Sequence, residues 1–229
     1  MIRLFTINNR ICTASNIALY LSVYDPYNPL DLPPNTVRVR TYDRQPPSKS
    51  IATYETATFV PGTLDVYDVY KSGTDFTSLL RNTSVTEVLG ANTTGITNMN
   101  FMFDQCFKLT SVPLFDTSSV TSMNHMFSTC SLATVPLFDT SNVTTMIEMF
   151  FNCESLTALP LFDTSNVTNM QGTFYNCKNV QTGALALYQQ ASSQANPPSN
   201  HFFTFANCGI NTTLGAAELA QIPNDWKGS

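Results

Sequence analysis

Between residues 95 and 179 the chain repeats one pattern of hydrophobic and polar positions four times. Each copy places apolar residues at intervals of 3, 4 and 3, as in Val120, Met123, Phe127 and Cys130. Apolar residues at these intervals fall on one face of an α-helix, and the polar residues between them fall on the other face. The pattern therefore predicts one short amphipathic helix in each copy.

The residues on either side of each predicted helix indicate how the helix begins and how the chain continues. Asp-Thr-Ser stands just before it, as at residues 116–118, and these side chains cap the free N–H groups of a helix. After the Cys comes a Leu-led segment ending in Pro, as in Leu109–Pro113 and Leu156–Pro160. Because Pro cannot donate to a β-ladder, this segment is expected to be a short strand that ends at the Pro.

The copies keep a nearly constant spacing along the chain. Their anchor phenylalanines are Phe103, Phe127, Phe150 and Phe174, and a Cys follows each of them by three positions. A constant period of about 24 residues predicts a solenoid, in which each copy buries its apolar side against the next.

The sequence of the repeats resembles that of a known family. The copies Leu114–Pro136, Leu137–Pro160 and Leu161–Val180 open with LFDTS and continue with Met, Phe and Cys at fixed places. This pattern is similar to that of the BspA-like leucine-rich-repeat family of bacterial surface proteins, whose repeats also occur in phage-encoded proteins. The similarity covers roughly residues 70–182. It implies a right-handed α/β solenoid that serves in adhesion or recognition, and it carries over no catalytic residues.

These observations predict an α/β fold. We expect a leucine-rich-repeat-like solenoid of about five coils, each a short strand plus a helix, on a period of about 24 residues. A small N-terminal β domain and a helical C-terminal cap are expected to flank it. The predicted domains are a β-rich attachment domain at 1–70, a solenoid at 71–208 that opens with a cap helix at Thr74–Arg81, and the cap at 209–229.

The N-terminal region carries strand signals and a basic stripe. Predicted strands include Met1–Ile7, Ile17–Tyr24 and Thr36–Asp43, and the last of these alternates Val with Arg. The alternation indicates a half-buried strand with its basic residues turned outward. Arg38, Arg40 and Arg44 are therefore candidate residues for attachment to a larger assembly, with an ordinary solvated strand face as the alternative.

Charge and hydropathy exclude some classes of function. The net charge is −5, with 8 basic and 7 acidic residues up to Arg81 (+1) and 3 basic and 9 acidic residues after it (−6). An acidic repeat region repels phosphate backbones, so no nucleic-acid partner is expected. No apolar run approaches the length of a membrane span, and the segment Met1–Pro26 lacks the pattern of a secretion signal. We therefore expect no membrane insertion.

No catalytic group, cofactor or metal site is expected. The repeated cysteines are predicted to be reduced, buried thiols, because equivalent positions on neighbouring helices lie too far apart for a disulfide. Glu148 stands at the position equivalent to His125 in the next copy, and we interpret His125 as a surface His. The recurring Asp116, Asp139 and Asp163 suggest either calcium ligands or caps, and capping explains them without an ion.

A surface of small hydroxyl-rich residues is a candidate ligand-binding site. If the short strands form one continuous sheet, the outward positions include Thr110, Ser111, Thr134, Thr157 and Ala158. Such a surface would suit a polysaccharide or an extended peptide. The alternative is that close stacking of the copies simply requires small residues here.

The predicted function is non-enzymatic recognition or adhesion by a protein displayed on a phage particle. Its N-terminal domain would bind other virion proteins, and its solenoid would bind a host-surface glycan or protein; a homo-oligomer is also possible. The predicted location is the virion, assembled in the bacterial cytoplasm. The alternatives are a purely structural decoration or scaffold subunit of the virion, and an exported adhesin on the bacterial cell surface that lacks its leader.

Overall fold

The computed structural model describes residues 5–7, 10–12 and 32–228, with the backbone alone at 5–7 and 10–12. The predicted strand Ile17–Tyr24 lies outside the described residues, as do the first four residues of the predicted strand Met1–Ile7.

The strands of the described residues form two antiparallel sheets. A two-stranded ribbon consists of β1 (Phe5–Ile7) and β2 (Arg10–Cys12). The larger sheet has four strands in the order β4-β5-β3-β6. Its members are β3 (Thr36–Thr41), β4 (Thr56–Phe59), β5 (Val66–Tyr70) and β6 (Val85–Asn92).

Helices occur only near the C-terminal end of the described residues. They are α1 (Ala184–Ser192), α2 (Thr213–Gln221) and α3 (Asn224–Lys227). The α/β solenoid of about five strand-plus-helix coils is therefore wrong. The described residues hold one four-stranded antiparallel sheet, the β1–β2 ribbon and three short helices, and no helix lies in any copy at the predicted place.

Each copy contains a run of tight turns where a helix was expected. In one copy the N–H groups of Met102 and Cys106 donate to the carbonyls three residues earlier, at 3.2 and 3.0 Å. Phe101 and Gln105 have φ of +56° and +62°, in the left-handed region. An α-helix cannot continue through a left-handed residue. Instead, consecutive tight turns place the apolar residues of the 3-4-3 pattern on the inner side of the copy.

The same pair of left-handed residues recurs along the chain. The equivalent positions are Ser78 and Asn82, His125 and Thr129, Glu148 and Asn152, Gly172 and Asn176, and Phe203 and Asn207. The predicted cap helix at Thr74–Arg81 is thus wrong as well, since this segment forms turns of the same kind. We call these runs the turn segments.

Backbone hydrogen bonds join each turn segment to the one in the next copy. Alternate N–H groups donate to carbonyls of that copy, as from Met99 to Ser122 (3.0 Å) and from Phe103 to Met126 (2.9 Å). The apolar side chains of each copy point inward and are buried, as predicted for Val120, Met123, Phe127 and Cys130. Neighbouring copies therefore lie directly against one another.

The core of the stacked copies is a column of aromatic rings. Phe103, Phe127, Phe150 and Phe174 stack with centroid separations of 5.5 Å, and Phe205 continues the column at 5.8 Å. Beside it lie the repeated cysteines, whose thiols donate to carbonyls of the preceding copy at 3.1–3.2 Å. The prediction of free, buried thiols is confirmed for Cys106, Cys130, Cys153, Cys177 and Cys208.

The sheet and the stacked copies meet at β6. This strand pairs with β3 on one side, while Val88 N–H donates to the Ser111 carbonyl on the other side at 3.1 Å. One hydrophobic cluster runs from Val37 of β3 through the copies to Trp226 of α3. The end of the stack that carries Phe205 is closed by Trp226, whose carbonyl accepts a hydrogen bond from Phe205 N–H at 3.0 Å.

Candidate ligand-binding groove

Exposed leucines lie at one repeated position on the side of the stacked copies. Leu114, Leu137 and Leu161 each follow the Pro that ends the Leu-led segment, and their exposed fractions are 66%, 59% and 52%. Large apolar side chains scattered singly on a surface need no explanation, but a row of them commonly marks an interaction site. These leucines form one wall of a groove.

The local sequence explains why the leucines point outward. Pro precedes the segment Leu-Phe-Asp-Thr, whose successive side chains alternate between exposed and buried. In Leu137–Thr140 the Phe and the Thr are buried and the Leu and the Asp are exposed. The other two copies of the segment have the same alternation.

Polar side chains hold these segments in register with one another. The Thr117 hydroxyl donates to the Asp139 carbonyl, and the Thr140 hydroxyl donates to the Asp163 carbonyl, both at 2.8 Å. The Thr93 hydroxyl makes the same bond to the Asp116 carbonyl at 2.6 Å. Each copy therefore positions the next, and the exposed side chains line up in rows.

The rows enclose a groove of about 770 Å³. Its floor includes Phe115 and Phe138, and it extends from the end of β6 to Asp163. The lining residues are Ala91, Asn92, Thr93, Thr94, Leu114, Phe115, Asp116, Thr117, Ser118, Leu137, Phe138, Asp139, Thr140, Leu161 and Asp163. This volume lies in the range of typical ligand pockets, although the groove is open along its length.

The groove is negatively charged. Asp116, Asp139 and Asp163 line it, and none of the described Lys, Arg or His residues does. The Ser118 hydroxyl and N–H donate to Asp116 Oδ1 at 2.6 and 3.0 Å, which lowers the pKa of that carboxyl. Ser141 lowers the pKa of Asp139 in the same way. Both groups are therefore ionised at neutral pH, with one carboxylate oxygen occupied by the Ser.

The Asp-Thr-Ser sequence thus has a different role from the one predicted. Asp Oδ1 accepts the N–H two residues ahead, as expected of a capping residue, but a turn follows where the helix was expected. Within the described residues, no three His, Cys, Asp or Glu side chains are grouped so that they could hold a metal ion.

The predicted ligand-binding residues lie outside the groove. Thr110, Ser111, Thr134, Thr157 and Ala158 are all exposed, on the segments that precede the prolines. The hydroxyls of Thr110 and Thr157 donate to carbonyls of the preceding copy at 3.2 Å.

The described residues do not form the continuous sheet predicted for these positions. In this part of the chain, the pairing along the segments consists of two isolated bridges, Glu87↔Ser111 and Ala158↔Thr182. The copy with Cys130 is one residue shorter than its neighbours between the Cys and the Leu. Among the described residues, no β-bridge joins the segment that carries Thr110 to the one that carries Thr134.

The three candidate attachment residues occupy different environments. Arg38 is 2% exposed and donates through Nε and Nη2 to both carboxylate oxygens of Asp68, at 2.7 and 2.9 Å, so its predicted outward orientation is wrong. Arg40 is half-buried between Asp65 and Glu87. Arg44 is exposed. Arg38 is buried because β3 is an interior strand of the sheet and is covered on both faces.

The predicted surface histidine belongs to a column on another side of the copies. His125 stacks on Phe101 with ring centroids 4.6 Å apart, and its Nδ1 lies 3.5 Å from Glu148. The Arg81 guanidinium lies over the same Phe101 ring, 4.9 Å from its centroid. The His125 side chain is half-buried at the surface, beside the carboxylate of Glu148 in the next copy.

The leucines of the groove precede the Asp-Thr-Ser sequence that predicts a helix cap, and a cap gives them no role. The sequence does contain a signal, since Leu occupies the position between Pro and a buried Phe three times. An apolar residue in strict alternation with buried positions points outward. Leu at this position in three copies therefore indicates three exposed leucines.

Comparison with known protein families gives a match. A family model described as "Mycoplasma protein of unknown function, DUF285" matches residues 71–188. No curated protein and no solved structure matches the chain. None of the described helices is long and apolar enough to cross a membrane. The matched segment makes up just over half of the chain, includes every residue that lines the groove, and shows that the chain belongs to the DUF285 family.

Proposed function

We propose that this protein is a non-enzymatic recognition or adhesion protein that binds a macromolecular partner along the groove. The observation that carries the proposal is the row of exposed leucines, Leu114, Leu137 and Leu161, held in register above a floor of buried phenylalanines. A partner that covers this row removes apolar surface from water, which favours association.

Other features of the molecule favour binding over catalysis. Burial raises the pKa of the Cys106 thiol to about 11 and that of Cys153 to about 12, so neither is a good nucleophile at neutral pH. His125 and His201 are each paired with a carboxylate and stacked on an aromatic ring. The similarity of the repeats to BspA-like surface proteins also supports recognition.

The proposal includes display on the outside of a particle or cell. Display on a phage particle, with the N-terminal region bound to other virion proteins, remains a prediction. Immunogold electron microscopy with an antibody against the purified chain distinguishes the locations. Label on particles supports the phage assignment, label on the cell surface supports a cellular adhesin, and label confined to the cell interior contradicts both.

The role of the groove is tested with a double substitution, Leu137→Ser with Leu161→Ser. Because both side chains are exposed, the free energy of unfolding is expected to change by less than about 1 kcal/mol in total. Attachment of the labelled chain to the cells or particles that bind the parent is expected to fall at least fivefold. The matched control is Leu64→Ser, at an exposed leucine far from the groove in sequence and absent from its lining. Equal attachment by the parent and the double variant contradicts a role for the groove.

A further inference from the structure

The lining of the groove indicates the chemistry of its occupant. We propose, on the basis of the function proposed above, that the groove binds an extended polypeptide segment carrying Lys or Arg side chains. The apolar row of Leu114, Leu137 and Leu161 runs beside an acidic row, Asp116, Asp139 and Asp163, and the described part of the chain contributes no basic residue to the lining. The occupant must therefore supply both apolar surface and positive charge.

Lys and Arg side chains combine these two properties. Their aliphatic stems lie along apolar surface while the charged ends remain in polar surroundings. In the groove, the stems would cover the leucines and the charged ends would meet the carboxylates. At Asp116 and Asp139 the Ser hydroxyl and N–H both bind Oδ1, and at Asp116 the Thr94 side chain also hydrogen-bonds to the carboxylate.

The spacing of the copies suits an extended chain. Copies joined by strand-like backbone hydrogen bonds lie roughly 4.8 Å apart, so carboxylates two copies apart are separated by roughly 10 Å. Three residues of a peptide in the extended polyproline II conformation span about 9 Å and complete one turn, so side chains three positions apart lie on the same side. A segment in this conformation with a basic residue at every third position brings successive charges to Asp116 and Asp163, with the leucines beneath the stems.

The charge distribution disfavours other occupants. Nucleic acids, phosphorylated peptides and acidic glycans carry negative charge, which the three carboxylates repel. A neutral glycan can donate hydroxyl hydrogen bonds to the carboxylates, but it supplies no positive charge to compensate them.

The test uses the full chain and a synthetic fluorescein-labelled peptide with Lys at every third position between Ala and Ser residues. Fluorescence anisotropy is expected to show binding that weakens as the salt concentration rises. A peptide with Gln in place of each Lys is expected to bind at least tenfold more weakly.

The matched protein variant is Asp139→Asn with Asp163→Asn. Asn keeps the oxygen that accepts the N–H two residues ahead, so the turns are retained while two charges are removed. We expect the dissociation constant for the Lys peptide to rise about tenfold. The control is Asp43→Asn, where the carboxylate accepts the Gln45 N–H in the same geometry outside the groove. This control is expected to bind as the parent does.

Equal affinity for the Lys and Gln peptides, or equal affinity of the parent and the double Asp variant for the Lys peptide, overturns the proposal. Loss of cell attachment in the Leu137→Ser, Leu161→Ser variant but not in the Asp variant leaves the groove as a binding site and rules out a basic partner. Unchanged attachment in both variants shows that the partner does not bind in the groove. Attachment that is abolished only by deglycosylating the target cells assigns the site to a neutral glycan and also overturns the proposal.

Discussion

The sheet and the stacked copies bury similar side chains on different backbones. In β3 the extended backbone turns alternate residues to opposite faces, and both faces are covered, so Arg38 is as buried as its neighbours Val37 and Val39. In the copies, turns place Met, Phe and Cys inward at intervals that a helix would also produce. The period of apolar residues therefore predicts which side chains are buried better than it predicts the backbone that buries them.

The sheet and the stacked copies also differ in how far apart in sequence their hydrogen-bonded backbone partners lie. In the sheet, β3 bonds to two strands far away in sequence, β5 and β6. Each turn segment bonds only as far as the next copy, through four alternate N–H groups such as those of Met123, His125, Phe127 and Thr129. Disruption of one copy therefore affects two neighbours directly, while disruption of β3 affects the whole sheet.

The largest effect is expected from Phe150→Ala. The Phe150 ring lies between Phe127 and Phe174 at 5.5 Å from each, so its removal opens a cavity in the aromatic column. The free energy of unfolding should fall by about 3–5 kcal/mol in urea titrations. Phe107→Ala, at an exposed ring in another copy, is the control and should cost less than about 0.5 kcal/mol. Similar losses for the two variants would contradict the central position of the column.

A slightly smaller effect is expected in the sheet from Arg38→Met. The substitution leaves Asp68 without the two hydrogen bonds from the buried guanidinium, so unfolding should become easier by about 3 kcal/mol. Arg44→Met, at an exposed position, should change stability by less than about 0.5 kcal/mol. Because Arg44 can be replaced without unfolding the sheet, its predicted attachment role is testable, whereas loss of attachment in Arg38→Met would reflect the fold.

The sequence predicts the buried residues of the copies but not the backbone that carries them. The burial of Met123, Phe127 and Cys130 followed from their spacing, and the free thiols followed from the repeated cysteine position. The helix prediction failed because left-handed residues interrupt each copy, and His125 and Glu148 are residue types that give no sign of this conformation.

A partial signal for the turns was present. Asn stands immediately before the repeated Cys in three copies, at Asn152, Asn176 and Asn207, and Asn is enriched among left-handed residues. In the groove, the exposed leucines could be predicted from their alternation with buried Phe and Thr. Their alignment into one row could not, because it depends on hydrogen bonds between copies that only the folded chain shows.

The buried thiols make the stability of the copies dependent on pH. Thiols ionise near pH 8.5 in the unfolded chain, whereas burial raises the pKa of Cys153 to about 12 in the folded chain. The folded state therefore holds more protons between these values, and stability falls as the pH rises above about 9. Each such thiol contributes about 1.4 kcal/mol per pH unit in this window.

Urea unfolding at pH 8 and pH 10 measures this dependence. Cys153→Ser keeps a donor for the Phe127 carbonyl but removes one ionisable thiol, so the loss between the two pH values should be smaller than in the parent by about 1–2 kcal/mol. An identical loss in both proteins would show that Cys153 ionises normally in the folded chain.

The smallest effect expected is a gain in stability from Thr129→Asn. Thr129 has a φ of +59°, a conformation that is costly for a β-branched residue, and the equivalent residues Asn152, Asn176 and Asn207 share it. Among those residues the side-chain amides form a ladder, with Asn176 Nδ2 donating to Asn152 Oδ1 at 2.9 Å and Asn207 Nδ2 donating to Asn176 Oδ1 at 2.8 Å. Asn at position 129 relieves the backbone and can extend the ladder.

We expect the free energy of unfolding to rise by about 0.5–1 kcal/mol for Thr129→Asn. The matched control is Thr110→Asn, at an exposed Thr of the neighbouring copy whose backbone is not left-handed, and it should give no gain. A helix across residues 120–130 would reverse the expected order, because Asn is no better than Thr inside a helix and Thr129 would then carry no strain to relieve. Destabilisation by Thr129→Asn would therefore count against the turn segments themselves, and equal gains for the two variants would mean that the left-handed backbone contributes nothing to the difference.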